Sequence, residues 1–340
     1  MEPLRVLVIG HGLIGRQRAA AAHALSEQLP VRLAGTVDPV ERPPDLYGGA
    51  PHVSSLDDVD LEGCEAAVVA LPHDLAQEAA ARLLGAGKPV LIEKPLGLTA
   101  EVASDLEAAA GRLDRPSFVG YNYRFLPHVR DLFAAVASGQ LGDLRSVDML
   151  IGHGGNPGSA AGWKLRPDQG GGGVLLDPGV HLLDLLLLLD ERLEPSHVDA
   201  TRGFWETDIE EDLLMAFRDP PLIATARVSH IRWVNELRIE AMGTDGYAIL
   251  GGRGGNYGPM VSRLGRRWAW NQDPEGRSQR DTETVRDYGD HNLSLEHELE
   301  AVLRLWLGEE APRGGPHPAT MAEGRRVTEL AAELAKMLPA

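Results

Sequence analysis

The chain has 340 residues, 43% hydrophobic and 24% charged, the profile of a soluble globular protein and the length of two domains at roughly 100 to 200 residues each. A formal net charge of −17 excludes an extended nucleic-acid surface, which needs clustered Lys and Arg to neutralise phosphates. The longest apolar stretch, LLDLLLLLD (182–190), is interrupted by Asp184 and falls far short of the ~20 residues of a membrane-spanning helix.

The first residues, MEPLRVLVIG, lack the basic region, longer apolar region and small-residue cleavage site of a secretory signal. A single cysteine, Cys64, can form no internal disulfide and offers no metal cluster. No metal is therefore expected, and a reducing cytoplasm is the natural compartment. Only four of the 33 basic residues are lysines, Lys88, Lys94, Lys164 and Lys336.

In chain order, LRVLVIG (4–10) predicts a strand, the turn GHGLIG follows, and RQRAAAAHALSEQL is rich in helix formers. VRLAGTVD (31–38), EAAVVALP (65–72), KPVLIEKP (88–95) and PSFVGYN (116–122) predict further strands. Between them LAQEAAARLLGAG and TAEVASDLEAAAG predict helices, the second capped by Thr99. Strands alternating with helices mean parallel βαβ units, a doubly wound α/β domain expected over residues 1–122.

After that the pattern changes. A helix near 127–138, the strand DLRSVDML, a glycine-rich loop and a helix after Pro178 precede the short strands HVDATRGFW, DLLMAFRD, LIATARVSHI, ELRIEAMG and YAILGG. TDG (244–246) turns between the last two, and RRWAWN and ETVRDY are further candidates. GGRGGNYG and NQDPEGRSQ read as mobile loops, and two helices, from Ser294 and from about Ala319, close the chain. An α+β domain with an open, mostly antiparallel sheet is expected over 123–340, its last helices able to pack back on the first domain.

Gly10, Gly12 and Gly15 form G-x-G-x-x-G between a strand and a helix. In that setting the glycines serve a tight turn, close approach of backbone to a pyrophosphate, and helix-to-strand packing, with His11, Leu13 and Ile14 completing the cradle. The helix N-terminus supplies N–H groups and partial positive charge to an anion. Asp38, 23 residues after Gly15, would accept from a ribose diol and repel a 2′-phosphate, favouring NAD. Arg42 keeps NADP open, since it could swing toward a phosphate.

Glu93-Lys94-Pro95 ends a strand, where ligands of such sheets bind. Lys94 reads either as a compact, tunable ammonium at a reaction centre or as a surface charge. GGGGVLLDPGVHLLD (170–184) poses a similar choice. Asp177 before Pro178 is a sufficient helix N-cap, yet a spacing of four also puts Asp177 and His181 on one side of the first turns, with Asp184 three residues on. A carboxylate there could orient a histidine base.

The ordered set G-x-G-x-x-G, Asp38, Pro72, Glu93-Lys94-Pro95, Gly120-Tyr121-Asn122, Trp163-Lys164 and GGGGVLLDPGVHLLD resembles the glucose-fructose oxidoreductase / inositol dehydrogenase / MocA family over essentially the whole chain. The resemblance implies a Rossmann domain, a substrate domain whose sheet forms oligomer contacts, and a triad carried over to Lys94, Asp177 and His181. It also implies cofactor contacts at Leu71, Pro72, His73, Glu93 and Lys94. This chain departs from the family's Thr-Pro-Asn-x-x-His, having His73 at the asparagine position and Ala76 at the histidine position. Lys164 stands where arginine is frequent.

The expected chemistry is hydride transfer between nicotinamide and a secondary alcohol or ketone of a cyclic polyol or sugar. In it His181 takes the hydroxyl proton, Lys94 stabilises the alkoxide and Asp177 orients His181 or a neighbouring hydroxyl. Tyr121, Asn122, Tyr123, Asn156, Trp163, Lys164 and Arg166 are the expected pocket residues, and the bare glycines are expected to let substrate and nicotinamide approach. The alternatives are a redox-neutral glycosidase-like enzyme that keeps its NAD, an imine or enone reductase, and a non-catalytic dinucleotide-binding regulator. Small-molecule sugar or cyclitol partners and a homodimer or homotetramer are expected, without nucleic acid or membrane.

Overall fold

The computed structural model describes residues 2–155, 173–205, 208–266, 283–310 and 317–339. The first sheet contains β1 (Leu4–Ile9), β2 (Val31–Val37), β3 (His52–Val53), β4 (Ala66–Val69), β5 (Val90–Glu93), β6 (Phe118–Gly120) and β15 (Ala319–Thr320), in the order β15-β6-β5-β4-β1-β2-β3. All its pairings are parallel except β15 with β6. Its central strands read as continuous apolar runs because helices cover both faces: Ala66–Val69 and Val90–Ile92 are fully buried.

Helices α1 (Leu13–Leu25), α2 (His73–Gly85) and α3 (Ala100–Ala110) provide the crossovers. Thr99 caps α3 by accepting from Val102 N–H. β3 and β15 are two residues long, too short for a hydrophobic pattern to announce them.

The second sheet contains β7 (Leu144–Gly152), β8 (Glu194–Thr201), β9 (Asp212–Asp219), β10 (Leu222–Ser229), β11 (Glu236–Gly243), β12 (Gly246–Gly251), β13 (Val261–Arg266) and β14 (Glu283–Asp287), in the order β14-β13-β12-β11-β7-β10-β9-β8. Among the described strands, only β7 and β10 run parallel. One face, carrying Val147, Met149, Ile151, Leu213, Met215, Phe217, Leu237 and Ile239, is buried, and α4 (Pro127–Ala137) and α5 (Val180–Leu189) contribute to that core. The alternate residues, among them Asp148, Leu214, Ile223, Arg227 and Arg238, are exposed. The predicted strand RRWAWN lies, apart from Arg266, outside the described residues.

The last two helices return to the first sheet. In α6 (Ser294–Trp306), Trp306 donates through Nε1 to Pro116 O at 2.8 Å. The other, α7 (Met321–Met337), opens with a capping box between Thr320 and Glu323 and contacts both α3 and α5. Among the described residues, no helix is long and apolar enough to cross a membrane.

Candidate active site

The turn after β1 is built for a close approach. Gly10 has φ +91°, and a Cβ there would fall 2.2 Å from Ala70 O, while one on Gly15 would fall 1.9 Å from Gly10 O. A Cβ on Gly12 would meet nothing, because that position faces a cleft of about 350 Å³ lined by Gly10, Gly12, Leu13, Ile14, Asp38, Leu71, Pro72, His73, Glu93, Lys94 and Asp177. The N-terminus of α1 opens onto this cleft with no acidic residue in its first turn, a suitable seat for a pyrophosphate.

Asp38 is held in place by two backbone donors, His11 N–H to Oδ2 at 2.6 Å and Val40 N–H to Oδ1 at 2.9 Å. The His11 ring faces Tyr47 Oη at 3.0 Å. Burial, reinforced by Arg42, lowers its pKa. The alternative left open, a swing of Arg42 toward a 2′-phosphate, does not fit this arrangement. Its guanidinium donates to Thr36 Oγ1 (2.8 Å) and to the carbonyls of Pro43, Leu46, Ala50 and Pro51, so freeing it would break five hydrogen bonds at once, one of them to the buried Thr36 hydroxyl.

At the other end of the cleft, Lys94 follows β5 and its peptide bond to Pro95 is cis. Lys94 Nζ donates to Asp177 Oδ1 at 2.8 Å and to Asp177 O at 2.5 Å. Asp177 is therefore not the N-cap that its place before Pro178 suggested. It lies within a π-helical turn, Leu175–Gly179, that runs into α5. The wider turn takes in Pro178 and brings both the carbonyl and the carboxylate of Asp177 to Lys94.

His181, buried in the first turn of α5, stacks on Tyr123 with ring centroids 4.0 Å apart and planes 5° apart, and Tyr121 meets it edge-on at 6.0 Å. Burial drives both phenols up, Tyr121 well above its usual value and Tyr123 to about 12 despite Arg253 beside it. Both rings stay neutral at any working pH. Asn122, expected in the pocket, donates to Ser294 Oγ at 2.7 Å and ties the turn to α6. Asp184 forms a buried two-pronged pair with Arg124 at 2.8 and 2.6 Å.

Asn156, Trp163, Lys164, Arg166 and Gly170 to Gly172 lie outside the described residues. Gly173 does not face the cleft. A Cβ there would fall 2.1 Å from Glu210 O, and Glu210 Oε1 accepts from Gly173 N–H and Leu175 N–H at 3.0 and 3.1 Å. Its bareness serves packing against that segment.

Two groups of residues escaped the sequence reading. Arg18, fully buried on α1, donates to Glu93 at 2.8 Å and also binds Glu298 of α6. Burial works against its charge, but Glu93 and Glu298 outweigh it and hold the proton on. Arg253 and Tyr257 belong to GGRGGNYG, which is no loose loop: Gly254 N–H reaches Gly258 O at 2.8 Å, Gly255 N–H reaches Asp290 O at 3.1 Å, and Asn292 Nδ2 reaches Arg253 O at 2.9 Å. Its density of glycines was a signal of a built turn as much as of mobility.

Comparison with known proteins agrees with this architecture. The family described as "Oxidoreductase family, NAD-binding Rossmann fold" matches residues 4–121, and "GFO/IDH/MocA C-terminal domain" matches residues 129–249. Glucose-6-phosphate 3-dehydrogenase of Bacillus subtilis (strain 168) is 31% identical over 190 residues, 53% of this chain and 53% of that protein. Inositol 2-dehydrogenase of Rhizobium meliloti (strain 1021) is 27% identical over 201 residues, 57% and 58% of the two chains. The matched regions thus span little more than half the length of these relatives. Among solved structures, levoglucosan dehydrogenase in complex with NADH and L-sorbose superposes with TM-score 0.82 at 17% identity, covering 99% of this chain and 97% of that one. KijD10, a 3-ketoreductase from Actinomadura kijaniata in complex with NADP and TDP-benzene, superposes with TM-score 0.78 at 19% identity, covering 99% and 98%. At such identities these two show the fold alone.

Proposed function

We propose, from the premise that this chain belongs to the GFO/IDH/MocA family of oxidoreductases and carries its NAD-binding Rossmann domain, that it interconverts a secondary alcohol and a ketone on a cyclic polyol or sugar. One observation carries the reading. The Lys94 and Asp177 pair opens onto the same cleft as the glycine turn and Asp38, so a reacting carbon and a nicotinamide can meet at the end of β5.

The residues present fit the cofactor: an open cradle at Gly12, the N-terminus of α1 and a fixed carboxylate at Asp38. When bound, nicotinamide supplies the hydride chemistry. Asp38 and the engaged Arg42 favour NAD over NADP. Lys94, held by Asp177, stabilises negative charge at the reacting oxygen, and His181, its plane set by Tyr123, exchanges the hydroxyl proton. Fully buried Tyr121 and stacked Tyr123 help to keep water from that side.

The exposed face of the second sheet, with Leu214, Ile223 and Val285 on it, suits a homodimer or homotetramer, which solution mass would show. The single buried cysteine fits a cytoplasmic setting.

The test is NADH formation at 340 nm with NAD or NADP against inositols, aldoses and amino sugars, beside His181→Ala. Turnover that collapses in the variant supports the reading. Tight NAD binding with no turnover on any of them moves the assignment to a redox-neutral enzyme, a reductase of another acceptor or a non-catalytic binder.

A further inference from the structure

Arg253, only partly buried, stands apart from the fully buried Arg18 and Arg124. Arg18 has Glu93 and Glu298, and Arg124 has Asp184 and Glu323. In a chain with 50 carboxylate side chains, Arg253 has no ion-pair partner among the described residues. Its Nη1 donates to Tyr123 Oη at 2.5 Å, and its guanidinium carbon lies 4.0 Å from the Tyr257 ring centroid and 5.5 Å from that of Tyr123.

A guanidinium is charged at every working pH, and sheltering it from water is costly when no carboxylate pairs with it directly; among the described residues Asp177 acts on Arg253 electrostatically without forming an ion pair. One phenol oxygen and one aromatic face account for a single N–H and one side of the plane. Nε and Nη2, the edge that recognises carboxylate or phosphate in a two-pronged fashion, have no acceptor among the described residues.

The position matters as much as the charge. Tyr123 touches Arg253 through its hydroxyl and His181 through its ring face. Asp177 acts electrostatically on Tyr123, Arg253 and Tyr257 alike. Arg253 is thus joined to His181 through a single aromatic ring, Tyr123. The loop holding it is pinned at Gly254, Gly255 and Asn292, so the cation is preorganised. In a protein of net charge −17, a fixed local cation is also what an anionic substrate would need against long-range repulsion.

We propose that Arg253 binds an anionic group of the substrate, and that the natural substrate is an acidic sugar or cyclitol bearing a phosphate or carboxylate. The inference rests on the dehydrogenase reading of Lys94, Asp177 and His181.

Binding separates the two ideas. Wild-type protein loaded with NADH, on which no alcohol can turn over, is titrated calorimetrically with glucose, glucose 6-phosphate, glucuronate, myo-inositol and myo-inositol 1-phosphate. At least one anionic ligand is expected to bind about ten-fold or more tightly than its neutral parent, with the advantage shrinking as salt rises. The phosphate and carboxylate arms identify the anion. Arg253→Gln, retaining NADH affinity, should reduce the advantage to within about two-fold, and Arg253→Lys should keep part of it. No anion advantage in the wild type, or Arg253→Gln weakening neutral and anionic ligands equally, overturns the proposal; the second result would make Arg253 a positioning residue for Tyr123. Neutral sugars turned over without anion advantage would leave the dehydrogenase reading standing, whereas anion-selective binding with no NADH formation would do the reverse.

Discussion

Lys94 Nζ and Asp177 Oδ1 lie 2.8 Å apart although 83 residues separate them in the chain. The ion pair joins the end of a strand in the first sheet to a helical turn beside the second. Both side chains are mostly sheltered, at 14% and 18% exposure, so removing one partner strands the other charge in a partly desolvated cleft. Lys94→Ala is expected to lower kcat by about 10² to 10⁴-fold, the range for losing an electrostatic or proton-handling group, while NADH affinity changes only a few-fold. Steady-state rates beside fluorescence titration of NADH check this, and a variant that keeps its rate would remove Lys94 from the reaction centre.

Gly10 and Gly12 separate folding from binding. Gly10→Ala places a Cβ against the Ala70 carbonyl at φ +91° and should destabilise the protein by about 2 kcal/mol or more. Gly12→Ala meets only the open cleft, so it should melt like the wild type yet lose NAD affinity. Thermal melts with and without NAD read both effects. A Gly12→Ala protein with normal NAD affinity would move the pyrophosphate elsewhere.

On the proposed reading, Asp38 sets the preference between cofactors. With Arg42 committed to Thr36 and four carbonyls, discrimination rests on the repulsive carboxylate. Asp38→Ala should cut the NAD-to-NADP ratio of kcat/KM by about ten-fold or more. It should do so mainly through KM for NAD.

Glu93 and Glu298 share the single guanidinium of Arg18, and Glu298 is the more deeply buried. Burial, opposed by Arg18, raises Glu298 from 4.5 to about 7. The folded state then holds a proton that the unfolded state has released, so stability is full below pH 4.5 and declines as pH rises to about 7. Glu298→Gln cannot ionise and should lack this decline. Between pH 5 and 8 the wild type should lose more stability than the variant, by on the order of 2 kcal/mol, in urea unfolding at the two pH values. Parallel pH profiles would mean that Glu298 is ionised throughout.

Much of this architecture was written in local signals. The continuous apolar runs of β1, β4 and β5, the Thr99 cap, the glycine turn with Asp38 at its proper interval, and the alternation along β7 to β12 each follow from neighbours in the chain, because helix and strand periods and turn sterics act over a few residues. Lys94, Asp177 and His181 could each be singled out from a short motif, but only the family resemblance joined them as an expected triad.

Tertiary structure decided the partners. Asp177 before Pro178 looked like a cap, but the π-helical turn hands it to Lys94; Asn122 goes to Ser294, Asp184 to Arg124, and Arg42 is locked rather than free. Arg18, Glu298 and Arg253 carried no motif at all, and β3 and β15 were too short for a pattern. Charges and hydrogen-bond donors are satisfied by whatever the folded chain brings within about 3 Å, and that proximity, between residues as far apart as Arg18 and Glu298, exists only after the sheets have formed and the last helices have closed back on the first domain.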